Sequence, residues 1–70
     1  MIINARTHHG RFLEDKDIVA HTVEEFLDVA GKEVGYVRPG IDDARMSEVW
    51  TELVETGNSY MGWTDFKVVA

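Results

Sequence analysis

Between residues 43 and 56 the apolar side chains Met46, Val49, Trp50, Leu53 and Val54 return every three or four positions. That spacing places them on one face of a helix. A helix this short gains most of its stability from packing that face, so the chain must supply a second layer for it to rest on. The flanking residues suit helix ends. Asp42 can cap the first turn, Ile41 and Met46 stand where a hydrophobic staple would close, and Gly57 follows the last periodic residue.

The second layer is expected from β-branched and aromatic segments. Residues 1–7 (MIINART) read as a strand, 33–38 (EVGYVR) as another stopped by Pro39-Gly40, and 59–69 (SYMGWTDFKVV) as a third, irregular around Gly62. A further helix is expected over residues 15–30. It would set Ile18, Val19, Val23, Phe26, Leu27 and Ala30 on one face, with Asp15 or Asp17 capping its start and Gly31 ending it. The expected fold is α+β: a small three-stranded sheet packed with two amphipathic helices in the order β-α-β-α-β, one compact domain over residues 1–70. The alternative at the N-terminus is a hairpin, with Gly10 in the turn and Arg11 to Leu13 pairing back.

The chain has 70 residues and no cysteine, which excludes disulfides, thiolate metal sites and thiol nucleophiles. Its short apolar runs and its N-terminal residues resemble neither a membrane span nor a signal peptide, so a cytoplasmic setting is expected. No Gly-x-Ser-x-Gly, phosphate-loop or His-Glu-x-x-His pattern occurs. A chain this small rarely encloses a substrate pocket, so no enzymatic activity and no cofactor are expected.

Charge is the most directive feature for function. The net charge is −6, with 13 acidic and seven basic residues among the 70. Such a surface repels nucleic acid and anionic membranes and attracts basic proteins. Residues 14–30 hold six acids against one base, and residues 42–56 hold five against one. Asp15, Asp17, Asp42 and Asp43 are ascribed to capping and the helix dipole. Glu24, Glu25 and Asp28 on the first helix, and Glu48, Glu52 and Glu55 on the second, remain for a partner. The last three form one stripe in which like charges repel by a few tenths of a kcal/mol. An acidic face kept only for solubility is the plainer explanation of both stripes.

The histidines are weighed as chemistry and set aside. His8 and His9 are adjacent, so on a strand they point to opposite faces and cannot share a metal. Arg6 and Arg11 beside them suggest at most an anion contact. His21 with Glu24 and Glu25 reads as a surface pair. Strand alternation puts Ile2, Asn4 and Arg6 on one face of the first strand, and Met61, Trp63, Asp65 and Lys67 on one face of the last. If both helices cover one side of the sheet, the other side is bare.

The resulting expectation is a non-enzymatic, acidic protein-binding module. Its partner would be a protein with a basic surface, met by Glu24, Glu25, Asp28, Glu48, Glu52, Glu55 and Trp63. In its most concrete form it is a phage-type inhibitor that blocks a nucleic-acid-binding host protein by imitating phosphate spacing, an analogy of composition alone. The alternatives are a homo-oligomeric structural or accessory subunit using Met61 and Trp63, a metal site using the histidines, and a DNA-binding regulator using Arg6, Arg11 and Arg38.

Overall fold

The computed structural model describes residues 1–33 and 43–70. The chain runs β1 (Ile2–His9), β2 (Phe12–Val19), α1 (Val23–Glu33), α2 (Asp43–Thr56), β3 (Asn58–Met61) and β4 (Thr64–Val68). The four strands form one antiparallel sheet in the order β2-β1-β4-β3. The expected three-stranded β-α-β-α-β order is therefore overturned in favour of β-β-α-α-β-β. The strand expected over 33–38, the Asp42 cap and the Ile41 staple fall outside the described residues, except that Glu33 ends α1.

Two glycines account for most of the difference. Gly10 (φ 61°) and Gly62 (φ 60°) each lead a two-residue turn, closing the pairs His9–Phe12 and Met61–Thr64. Glycine enters this region without the Cβ penalty, and a glycine in the first position of a two-residue turn matches the twist of a hairpin. The turn at Gly10 sends residues 12–19 back along β1, which realises the hairpin alternative and extends it to Val19. The turn at Gly62 divides the expected last strand in two.

Residues 12–19 were the misleading segment, because their acids and leucine suit a helix. Their burial nevertheless alternates toward the C-terminal end: Ile18 and Ala20 are buried while Asp17 and Val19 are exposed. The first helix starts later, at a cap the sequence carries as Thr-x-x-Glu. The Glu25 N–H donates to Thr22 Oγ1 at 3.2 Å, and Glu25 Oε1 accepts from the His21 backbone N–H at 3.3 Å. Asp15 and Asp17 are thus not helix caps. α2 matches its expected bounds and ends as expected, with the Gly57 N–H on the Leu53 carbonyl at 2.9 Å.

Both helices lie on one face of the sheet. Ile3, Ala5, Ile18, Met61 and Phe66 from the strands meet Phe26, Ala30, Met46, Val49 and Leu53 in one core. Phe26 sits at its centre, 5.5 Å from the Trp50 ring and 5.5 Å edge-on from Phe66. Trp50 packs against this core and is half-buried, whereas Val54, expected in the buried stripe, is 61% exposed. Thr7 and Thr64 lie across from each other on the central strands. Their buried hydroxyls satisfy one another at 2.8 Å. Neither described helix is long and apolar enough to cross a membrane.

Candidate functional site: the acidic helix layer

The connections determine how the acidic residues are grouped. α1 begins where β2 leaves the sheet, and the Ala20 N–H donates to the Met1 carbonyl there. α2 ends at the same end of the strands, beside the opposite edge strand, where the Gly57 carbonyl accepts from the Val68 N–H at 2.8 Å. The first turn of α1 and the last turns of α2 thus lie at the same end of the helix layer. Glu24, Glu25 and Asp28 are exposed on α1; Glu48, Glu52 and Glu55 are exposed on α2.

They are not equivalent. Glu25 is held by the α1 cap, so its carboxylate serves the fold. Glu24 and Glu25 also stand in the first turn, where the helix dipole welcomes negative charge. Asp28 has a partner within the fold. Glu48 is paired with Arg45 at 3.1 Å, and the Arg45 guanidinium also reaches the Tyr60 carbonyl at 3.3 Å and lies 5.8 Å from the centre of its ring. Glu24, Glu52 and Glu55 make no side-chain hydrogen bond or ion pair among the described residues.

Glu52 and Glu55 are the anomalous pair. They occupy the C-terminal end of α2, where the dipole is negative, and the last turn holds no base. Glu52 repels Glu48 one turn before it and Glu55 three residues on. Beside this stripe Ala44, Ser47 and Thr51 are small, which leaves a shallow groove between the carboxylates. The arrangement offers a row of acceptors to cations and holds no nucleophile.

Trp63, expected to share the site, stands apart from it. The β3–β4 turn carries it to the opposite end of the sheet, where its ring lies 4.0 Å from that of His9. Met61, expected beside it on an outer face, is buried in the core, because the Gly62 turn resets the alternation. His8 is exposed on the other face of β1 from His9, as adjacent strand residues must be. His21 offers Glu25 its backbone rather than its ring, which instead accepts from the Met1 amino group at 2.7 Å. Among the described residues no three His, Asp or Glu side chains are grouped to hold a metal.

Sequence reasoning missed Asp15 and Asp17 as surface groups. Both accept from the Asn4 side-chain amide, at 2.5 and 3.0 Å, on the sheet face away from the helices. The alternation Asp15, Asp17, Val19 was the available signal. In comparisons with known proteins, the chain matches no family model, no curated protein and no solved structure.

Proposed function

We propose that the protein is a non-catalytic binding module whose acidic helix layer occupies a basic surface on another protein. The observation that carries this reading is the Glu48–Glu52–Glu55 stripe. Its last two carboxylates, Glu52 and Glu55, are held against both like-charge repulsion and the helix dipole, so folding stability alone would not select them. Glu24 adds a carboxylate at the same end of the layer. A basic surface that normally holds phosphates is the natural complement, so the module would act as an inhibitor of a nucleic-acid-binding protein by competing for its groove.

The test is an affinity pull-down from bacterial lysate with the native chain and with the Glu48→Gln/Glu52→Gln/Glu55→Gln variant, eluted by rising salt. The native chain is expected to retain a nucleic-acid-binding protein that moderate salt releases and that DNA displaces. The variant is expected to lose it. Equal retention by both chains would remove the acidic stripe from the mechanism.

A further inference from the structure

The sheet has a second face, opposite the helices, and among the described residues no element covers it. Beyond the His8–Leu13 pair at its far end, where Leu13 is 71% exposed, its cross-strand register sets out three rows. Asp15, Arg6, Asp65 and Tyr60 form one; Asp17, Asn4, Lys67 and Asn58 form the next. Val19, Ile2 and Val69 form the third, 54%, 38% and 52% exposed, with the Val69 N–H on the Ile2 carbonyl at 2.9 Å. Arg6, Asp65 and Lys67 make no side-chain hydrogen bond or ion pair among the described residues.

We propose that this bare face is the interface of a two-fold homodimer. The occupant follows from the charges. The rows hold two bases and three acids on a chain of net charge −6, so this is a face on which two copies meet with little repulsion. An acidic or a basic partner would leave half of these groups opposed by like charge.

A second copy matches them. Consider a two-fold axis along the strands, between the central strands β1 and β4. It sets β1 over the partner's β4 and β2 over the partner's β3, and keeps every row at its own level. Arg6 then faces the partner's Asp65, and Asp65 the partner's Arg6. Lys67 faces the partner's Asn4, with its attendant Asp17. Asp15 and Asp17 fall over the partner's Tyr60 and Asn58. Ile2 meets the partner's Val69 in the apolar row. An isologous contact requires this reciprocity, and aligned sheets pack with such a rotation to within about 30°.

The area suits a weak dimer. Strands of eight, eight, four and five residues, about 4.8 Å apart and about 3.3 Å per residue, present a face of roughly 400 Å². Two such faces together hide on the order of 800 Å², the size of a weak, concentration-dependent contact. The apolar row supplies burial, and the ion pairs fix the register. Such a dimer leaves both acidic helix layers facing outward, and it stands whether or not those layers bind a basic partner.

The experiment is sedimentation velocity from about 1 to about 200 µM protein, a range that brackets a micromolar dissociation constant. Five chains are compared: native, Arg6→Asp, Asp65→Arg, the double exchange of these two, and Val69→Arg. The native chain is expected to be dimeric at the upper end. Each single reversal should raise the dissociation constant by at least about tenfold, and the exchange should recover it. Val69→Arg, at an exposed position just past β4, should weaken the dimer by a similar factor even if a reversal at Arg6 unfolds the chain. A native chain that stays monomeric throughout overturns the proposal, as does a dimer indifferent to Val69→Arg and to both reversals. A double exchange that recovers nothing overturns the pairing of Arg6 with Asp65.

Discussion

Ser59 is the residue at which local chemistry and packing disagree. It is on β3 facing α2, 8% exposed, and its hydroxyl finds no partner among the described residues. A buried polar group left unpaired costs about 1–3 kcal/mol. Ser59→Ala is therefore expected to stabilise the protein by about 1 kcal/mol, read as a shift in the urea midpoint at unchanged slope. A loss of stability would mean that the hydroxyl is satisfied in solution. Thr7 and Thr64 face the same problem and solve it by bonding each other, which explains how two hydroxyls sit between the central strands. Nothing in the sequence near Thr7 announces that partner, because Thr64 is 57 positions away.

At the scale of the elements, α2 gives up stability for charge. Replacing Glu55 by Lys removes a repulsion and places a cation at the C-terminal end of the helix, where it is favoured by about 0.3–1 kcal/mol. Glu55→Lys should therefore raise the thermal midpoint while weakening capture of the basic partner. A variant that is less stable would show Glu55 to be structural and would undo the argument that the stripe serves binding. The strands follow a different logic. β2 is an edge strand carrying Glu14, Asp15, Lys16 and Asp17, and charges on an edge discourage pairing with stray chains. Those same charges gave the segment its helical look. α2 was legible because its apolar period is long and uninterrupted, whereas eight residues of β2 with one buried side chain leave period two and period 3.6 nearly indistinguishable. The cap that starts α1, Thr22-x-x-Glu25, was passed over in favour of Asp15 or Asp17, seven and five residues earlier.

At the scale of the whole molecule there is one thin core, and Phe26 joins its two layers. It touches the Trp50 ring on α2 and the Phe66 ring on β4 and is wholly buried. Truncating such a side chain costs about 3–5 kcal/mol, and a chain of 70 residues has only about 4–10 kcal/mol to lose. Phe26→Ala is expected to be largely unfolded or to melt well below the native chain by circular dichroism, with sheet and helix signals lost together. Loss of one without the other would show that the layers do not share a core.

The sequence by itself determined the acidic character, α2 with its bounds, the β1 strand and the shared face of Ile2, Asn4 and Arg6, while the bareness of that face waited on the placement of both helices. These follow from composition and from periods that neighbouring residues impose on each other. The tertiary structure alone decided the fourth strand, the burial of Met61, the separation of Trp63 from the glutamates and the sorting of the acids into caps, pairs and unengaged groups. Each of these depends on two turns that reverse the chain or on partners far apart in sequence, and a reversed chain resets which face every later residue meets.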